Sequence, residues 1–355
     1  MRTFIGIEFS RGVAALMVMV CHYAYMVTDN KTILNFLWTG VDLFFVISGF
    51  VFAKLIISAE VNLSYFFIRR FFRIFPLYFV VLTIYFFLTS DHPNKINYFI
   101  NHLFFIQTIE SKEEAFFFNP AFWSLPVEVE FYLFIPILAY LMRFKNSLFI
   151  IFIISIIVRL LIILQSNPDE IDIYYILGVH LTGILPEFLI GIFLYKFVIF
   201  SDSCSRYLRL QLIVFFTVFG FISIYLLSMF FISHGNEGLE DYKIFGGFYN
   251  FLCAVSYSFI LFSLSLINQK SLLKYLNNMM LIIGSISYPV YLLHNATPKF
   301  IHLLGLNINN ENLFFLSIVL TFFFSAILHK YLEKPSIVYG RKLSKTFLTS
   351  DDGVK

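Results

Sequence analysis

Charge is scarce in this sequence. Of its 355 residues only 13% are charged, whereas 59% are hydrophobic and 20% are aromatic. A soluble globular domain usually carries about 25% charged residues, so this composition excludes an ordinary water-exposed surface. The small net charge of +3 also argues against a nucleic-acid-binding protein. A lipid bilayer is therefore the expected solvent.

Cysteine is sparse as well. Cys21, Cys204 and Cys253 are odd in number, scattered along the chain and form no Cys-x-x-Cys pair. Neither a disulfide framework nor a zinc site is supported by that spacing, and we expect no bound metal. Each cysteine is expected to pack as a small apolar residue.

Long apolar runs recur from one end of the chain to the other. About 20 consecutive apolar residues are enough to cross the ~30 Å hydrocarbon core of a bilayer. The shorter stretch 98–107 is predicted to be an interfacial or re-entrant piece on the outer side. The pattern predicts an all-α transmembrane bundle of about ten spans, near residues 7–28, 36–57, 74–89, 122–142, 147–164, 174–198, 211–232, 245–267, 280–304 and 312–332.

The basic residues predict the orientation of these spans. With ten crossings, most of the 25 Lys and Arg residues fall on one side, which the positive-inside rule makes cytosolic. Both termini are then expected in the cytosol, and the Lys- and Arg-free loops at 166–172 and 234–241 are expected outside. We expect residues 1–340 to form one transmembrane domain and residues 341–355 to form a short cytosolic tail.

Several titratable residues fall inside predicted spans, where a charge costs at least about 2.5 kcal/mol. Arg11 and His22 share one face of the first helix, about 16 Å apart. Asp42 and Glu128 each lie about two turns from the outer end of a span. His22, Asp42 and Glu128 are expected to meet in the outer leaflet, and His294 approaches the same level from a late helix.

A histidine beside carboxylates is suited to take a proton from an attacking hydroxyl, so His22 is the predicted base. The alternative for His22 and Asp42 is a hydrogen bond that only packs helices together. For Glu128 the alternative is a helix start, with Trp123 as an interface anchor and the acid complementing the helix dipole. Glu130 points away from the face of Glu128 and is the weaker candidate.

Arg69, Arg70 and Arg73 are predicted to lie in a cytosolic loop. Guanidinium groups suit phosphate oxygens, which indicates binding of a phosphorylated donor. The alternative is a topology signal that contacts lipid headgroups. Arg159 and Glu187 are charged residues inside spans that could form a structural ion pair.

Seven segments in order resemble the signature of the membrane-bound acyltransferase 3 family, whose members O-acylate surface carbohydrates and related acceptors. The resemblance covers nearly the whole chain. These segments are Glu8 to Gly12 with His22, Gly40 to Phe50, Arg69 to Tyr78, Trp123 to Tyr132, Leu185 to Phe188, Tyr288 to His294, and Glu333 to Pro335.

The resemblance implies roles for individual residues. Arg11 and His22 correspond to the family's Arg-x10-His pair, and Asp42 and Glu128 correspond to its intramembrane acids. The arginine cluster corresponds to a donor-side element. Tyr291 and His294 lie in a matching late segment and, with Trp123 and Glu130, are additional candidates. The family often has Glu-Glu-Gln where this chain has Glu128-Val129-Glu130, which leaves the role of Glu130 open.

The resemblance also implies the chemistry. The donor is expected to be an acyl-CoA, with acetyl as the default cargo and succinyl as the alternative, and no cofactor is expected to stay bound. The acceptor is expected to be a cell-surface carbohydrate or glycolipid, and the location a bacterial inner (plasma) membrane, in contact with membrane lipid. His22 either deprotonates the acceptor hydroxyl or briefly carries the acyl group. The rival function is a glycan transporter or flippase without acyl transfer.

Overall fold

The computed structural model describes residues 4–28, 32–59, 61–166, 177–266, 274–306 and 308–349. Those ranges contain helices, turns and no strand, which confirms the all-α prediction. In chain order the helices are α1 (Ile5–Tyr23), α2 (Ile33–Phe36), α3 (Gly40–Ile57), α4 (Leu63–Leu88), α5 (Lys95–Leu103), α6 (Lys112–Phe116), α7 (Ser124–Leu141), α8 (Ser147–Gln165), α9 (Leu181–Ser201), α10 (Arg206–Asp241), α11 (Lys243–Ser265), α12 (Lys274–Ser285), α13 (Ser287–Leu293), α14 (Ala296–Leu303), α15 (Asn310–Leu328) and α16 (Lys334–Thr349).

Nine helical segments in the described part of the chain are long and apolar enough to cross a membrane. A tenth is added if α12 and α13, which are separated by a break at Ile286, count as one broken span. The predicted number of about ten spans is therefore confirmed, and the protein is a multi-pass membrane protein. The sidedness of the termini stays a prediction.

Two predicted loops are helical instead. Residues 69–73 lie inside α4, because the helix already begins at Leu63, where the side chain of Asn62 accepts a hydrogen bond from the Tyr65 amide at 2.9 Å. Arginine is also a good helix former, so the basic run does not end the helix. Residues 234–241 belong to α10, which continues past a local break at Gly235. Most of the predicted loop at 166–172 lies outside the described residues.

The chain forms two compact units. Unit 1 comprises Met1–Ile57 and Lys145–Ser287, and unit 2 comprises Ser58–Phe144 and Tyr288–Lys355. Unit 1 therefore carries α1 to α3 and α8 to α12, and unit 2 carries α4 to α7 and α13 to α16. The predicted domain boundary near residue 340 falls within α16.

Close contact between α3 and α9 shapes unit 1. A Cβ atom added at Gly49 would collide with the backbone of Phe188, and one added at Gly191 would collide with the backbone of Val46. Small residues of this kind let transmembrane helices approach closely enough to pack backbone against backbone. The two glycines therefore fix how α3, which carries Asp42, lies along α9.

Buried tyrosines hold α13 against α4 in unit 2. The Tyr288 hydroxyl donates to the Ile74 carbonyl at 3.0 Å, and the Tyr85 hydroxyl donates to the Leu292 carbonyl at 3.1 Å. Burial of either hydroxyl without a hydrogen bond would cost free energy, so these bonds stabilise the packing of α13 on α4. They place His294, just after α13, in the buried part of unit 2.

Between α4 and α7 the chain forms a compact segment, residues 89–123, that contains α5, α6 and a 3-10 helix at Pro120–Trp123. The Tyr78 hydroxyl donates to the His102 carbonyl at 2.9 Å, which holds α5 against α4. The Asn119 amide donates to the Tyr85 hydroxyl at 3.0 Å, and the Lys299 ammonium donates to the Phe118 carbonyl at 3.1 Å. This 89–123 segment leads directly into α7, which carries Glu128.

Candidate functional site

His22 lies in the last turn of α1, half-buried, with its ring orientation fixed by its own helix. Its Nδ1 atom is 2.8 Å from the Val18 carbonyl oxygen. A carbonyl oxygen can only accept, so this hydrogen bond requires the proton on Nδ1. In the neutral ring Nε2 then carries the lone pair, which is the form that a general base or a nucleophile needs.

Neighbouring chain segments brace the helix around His22. The Cys21 thiol contacts the Asn35 carbonyl oxygen at 3.3 Å, and α2 therefore lies beside the end of α1. Gly40, at the start of α3, lies so close to Ala14 and Met17 that a Cβ atom there would clash. The beginning of α3 thus packs directly on the part of α1 that precedes His22.

Arg11 lies three turns earlier on the same helix. Its guanidinium forms an ion pair with Glu8, one turn away, at 2.9 Å between Nη1 and Oε2. The Arg11 side chain is 17% exposed and that of Glu8 is 38% exposed. The pair is a local contact between residues one turn apart, and it leaves both side chains partly accessible.

Asp42 is buried in unit 1 with one partner on α11. The Asn250 side-chain amide donates to Asp42 Oδ1 at 3.1 Å, whereas Oδ2 has no hydrogen-bond partner among the described residues. Asn250 was not among the predicted site residues. A lone asparagine inside an apolar span indicates a polar contact with a neighbouring helix.

Arg159 and Glu187 form the ion pair that the sequence left open. Arg159 Nη1 lies 2.9 Å from Glu187 Oε1, and the guanidinium also donates to the carbonyls of Gly183 and Gly247. The pair joins α8 to α9 and α11 inside unit 1. Four hydrogen bonds satisfy the buried guanidinium, which is the condition for tolerating such a charge in a membrane.

Asp42 and Glu187 lie at similar heights on neighbouring helices. The ring of Phe45 packs on Phe188 at 5.0 Å between centroids, and that of Phe50 packs on Tyr195 at 5.4 Å. The second pair lies further along the chain than the first on both helices, so α3 and α9 run parallel. Asp42 precedes the first pair by about one turn of α3, and Glu187 directly precedes Phe188 on α9. Unit 1 therefore holds its two buried acids within about one helical turn of each other.

Glu128 in unit 2 is joined to an aromatic residue and a guanidinium. The Tyr132 hydroxyl, one turn further along α7, donates to Glu128 Oε1. The Arg70 guanidinium carbon lies 5.8 Å from the centre of the Tyr132 ring and 5.9 Å from that of Phe66. Tyr132 thus lies between Arg70 and Glu128, the predicted catalytic acid, a contact that the sequence did not predict.

The other two arginines of the run lie on the same helix as Arg70. Arg69 donates to the Tyr65 hydroxyl at 2.7 Å and its guanidinium carbon lies 5.0 Å from the centre of that ring. Arg73 is half-buried one turn after Arg69. Arg69 and Arg73 therefore lie on one face of α4, whereas Arg70 packs on Tyr132 of α7.

The remaining candidates of unit 2 have structural partners. His294 is buried, with Nδ1 at 3.2 Å from the Val290 carbonyl and Nε2 at 3.1 Å from the Asn295 amide. The Tyr291 hydroxyl donates to the Ala121 carbonyl at 2.7 Å and is 2.6 Å from Ser124 Oγ. These bonds fix the turn that precedes α7.

Trp123 ends the 3-10 helix before α7, and Glu130 lies on α7 itself; both are half-buried. Unit 2 therefore holds Glu128 and the arginine run, whereas unit 1 holds Arg11, His22 and Asp42. The expectation that His22, Asp42 and Glu128 meet in the outer leaflet stays a prediction.

Comparison with known proteins assigns the chain to a protein family. The profile of the acyltransferase 3 family, described as an acyltransferase domain, matches residues 4–330, so the chain belongs to that family. The family assignment and the apolar helices together define a multi-pass membrane protein of the acyltransferase 3 family.

Similar curated proteins come from Staphylococcus aureus. A protein of strain COL that is provisionally named an O-acetyltransferase is 26% identical over 366 residues, which covers 94% of this chain and 57% of that protein. The O-acetyltransferase OatA of strain NCTC 8325 / PS 47 is 24% identical over 359 residues, covering 93% of this chain and 56% of OatA. The chain thus spans little more than half the length of these relatives. No solved structure matches it.

Proposed function

We propose that this protein is an O-acetyltransferase of the inner (plasma) membrane that moves an acyl group from cytosolic acyl-CoA to a hydroxyl of a cell-surface carbohydrate. The observation that carries the proposal is the orientation of His22 within a chain of the acyltransferase 3 family. Its relatives named as O-acetyltransferases support acetyl as the cargo.

His22 supplies the proton chemistry. As a base, Nε2 takes the proton of the acceptor hydroxyl, the oxygen attacks the thioester carbonyl, and the carbon–sulfur bond breaks. The proton then passes from His22 to the departing thiolate, so the products are the ester and free CoA. As a nucleophile, Nε2 accepts the acyl group first and hands it to the hydroxyl in a second step. The Nδ1–H bond to Val18 serves both routes.

The arginine run is the proposed site for the phosphates of CoA. Arg69 and Arg70 are adjacent on α4 and Arg73 lies about one turn later, and guanidinium groups bind phosphate oxygens through paired donors. Arg11, which is paired with Glu8 on its own helix, is proposed to assist the donor. Asp42 and Glu128 are proposed to support the charge that develops during transfer, with Asn250 and Tyr132 holding their carboxylates.

Acyl transfer from radiolabelled acetyl-CoA to envelope glycan tests the proposal. Membranes that contain the wild type, His22→Ala or His302→Ala at matched amounts are compared, where His302 is an exposed histidine in α14. We expect the wild type and His302→Ala to label the glycan and His22→Ala to lose more than about a hundredfold, as expected for removal of a general base.

Two results would contradict the proposal. Equal labelling by His22→Ala and the wild type would remove His22 from the reaction. If neither acetyl-CoA nor succinyl-CoA labels glycan in wild-type membranes, whereas the protein moves glycan across the membrane, the transporter function replaces the enzyme.

A further inference from the structure

The 89–123 segment of unit 2 buries polar side chains that the proposed reaction does not use. His102, Gln107 and Glu114 are all 0% exposed and lie outside the candidate membrane spans. His102 donates from Nδ1 to the Tyr98 carbonyl at 2.7 Å, so its Nε2 atom is an acceptor. Nε2 has no hydrogen-bond partner among the described residues.

The other two side chains also bury acceptor atoms. Gln107 donates from Nε2 to the Phe122 carbonyl at 3.2 Å, and its Oε1 atom has no partner in the described ranges. The Asn101 amide lies close enough to Glu114 to act on its carboxyl group, yet neither Glu114 oxygen closes a hydrogen bond with a described residue.

His102, Gln107 and the helix that carries Glu114 all lie near the 3-10 helix at Pro120–Trp123. The His102 ring lies 6.3 Å from that of Phe122, and Gln107 bonds to the carbonyl of the same residue. Helix α6, which carries Glu114, packs against the 3-10 helix that contains Phe122. We call His102, Gln107 and Glu114 the acceptor cluster. It lies in the 89–123 segment, which leads into α7, the helix that carries Glu128.

The chemistry of the acceptor cluster selects a class of ligand. His102 Nε2, Gln107 Oε1 and an ionised Glu114 carboxylate can only receive hydrogen bonds, so they match a molecule with several donors. Phosphate and carboxylate ligands bring further acceptors and are excluded. Phe118, whose ring lies 5.0 Å from that of His102, and Phe122 add apolar surface of the kind that lines ligand pockets. Hydroxyl donors on an apolar ring are the chemistry of a sugar.

We propose that the acceptor cluster is the subsite that binds the hydroxyl groups of the carbohydrate acceptor. The inference rests on the proposed function for the statement that this sugar is then acylated. Because the three side chains are fully buried, the sugar enters after α6 moves aside. That helix has only five residues, and Lys112, Glu113 and Phe116 on it are exposed.

Steady-state kinetics of the full chain in nanodiscs test the subsite. The acceptor is glycan that lysozyme releases from the cell walls of the bacteria that express the protein, and the donor is radiolabelled acetyl-CoA. Gln107→Leu and Glu114→Leu each remove acceptors, and we expect the KM for glycan to rise about tenfold, the loss expected for one good hydrogen bond. Glu114→Gln, which keeps one acceptor, should raise it less.

The matched control is Glu113→Gln. Glu113 is the neighbouring acid, its side chain is 64% exposed, and it contacts His92 at 3.3 Å. We expect this variant to keep the wild-type KM for glycan. A cluster that only stabilises the fold would lower the melting temperature in the Leu variants and leave the KM for glycan unchanged. That pattern would assign ordered water to the cluster and overturn the proposal.

A binding measurement separates failure of the subsite from failure of the enzyme. The same glycan is titrated against the wild type and Gln107→Leu while the melting temperature is recorded. If the wild type transfers no acyl group but glycan stabilises it and not Gln107→Leu, the subsite stands and the proposed function falls. If glycan stabilises neither protein and no KM changes, the subsite is overturned.

Discussion

At the scale of single residues, the site depends on hydrogen bonds that fix which atom carries a proton. Val18 orients His22 from within α1, so the ring does not need a carboxylate to select its tautomer. On α7, the Tyr132 hydroxyl donates a hydrogen bond that holds the Glu128 carboxylate. Val18 and Tyr132 each lie one helical turn from the residue that they hold; Val18 accepts through its backbone carbonyl, and Tyr132 donates from its side-chain hydroxyl.

Replacement of Tyr132 by Phe tests the second of these bonds. A hydrogen bond to a charged group contributes about 1.5–3 kcal/mol, so we expect acyl transfer to fall by about tenfold to a hundredfold with little loss of folded protein. Tyr140→Phe is the matched control, because Tyr140 lies on the same helix and is 56% exposed. Equal rates for both variants and the wild type would show that Tyr132 does not support Glu128.

His102 gives a prediction about pH. Burial lowers its pKa from 6.5 to about 4, and the Tyr98 hydrogen bond offsets only part of that shift. Between those values the unfolded segment binds a proton that the folded segment excludes, so stability falls as pH decreases from about 6.5 to about 4. The full loss is about 3 kcal/mol.

Hydrogen exchange across the 89–123 segment measures this effect. We expect protection in α5 to fall on acidification, and we expect His102→Asn, which cannot titrate, to flatten the dependence. Burial also raises the pKa of the nearby Glu114 carboxyl group, so Glu114→Gln is measured in parallel. Unchanged acid sensitivity in His102→Asn would assign the effect to another group.

At the scale of helices, one buried ion pair links three elements of unit 1. Arg159 reaches Glu187 on α9 and the Gly247 carbonyl on α11. We expect Arg159→Met to destabilise the protein by about 3–5 kcal/mol, because the Glu187 charge is then buried alone. The double variant Arg159→Met/Glu187→Met should recover most of that loss.

Unfolding of purified protein in bicelles measures the cycle. Arg143→Met is the control, because Arg143 is an exposed residue just after α7. Additive losses from the two single variants, with no recovery in the double variant, would show that the ion pair contributes no coupling energy.

Helix positions were largely predictable from the sequence, since apolar runs long enough to span a bilayer leave few alternatives. The prediction of a loop at residues 69–73 is wrong. A run of arginines does not prevent a helix, and Asn62 caps this helix seven residues before Arg69. The contact between Asn250 and Asp42 was out of reach because it joins residues 208 apart, which requires knowing that α3 and α11 are neighbours.

The residues of the candidate site could be predicted from the sequence, but their hydrogen-bond partners could not. Arg11, His22, Asp42 and Glu128 follow from polar residues in apolar runs and from the family pattern. Their hydrogen bonds follow from side-chain geometry, which the sequence does not encode locally. The acceptor cluster was missed for a similar reason: its members are unremarkable in a loop and gain meaning only from their burial.

At the scale of the whole molecule, the proposed reaction requires a defined orientation in the bilayer. The positive-inside rule predicts that residues 143–145 face the cytosol and that the 89–123 segment faces outward. We expect Glu113→Cys in intact cells to react with a membrane-impermeant maleimide and Lys145→Cys to react only after the cells are opened. Both changes are made in a Cys204→Ser background. The reverse pattern would invert the topology and place the acceptor cluster in the cytosol.

The most direct test of the account uses sealed proteoliposomes with radiolabelled acetyl-CoA trapped inside and cell-wall glycan outside. The account predicts that the wild type transfers label to the external glycan, that His22→Ala does not, and that His302→Ala behaves as the wild type. Label that stays inside with the wild type, or label outside that persists in His22→Ala, would contradict acyl transfer through His22 across the membrane.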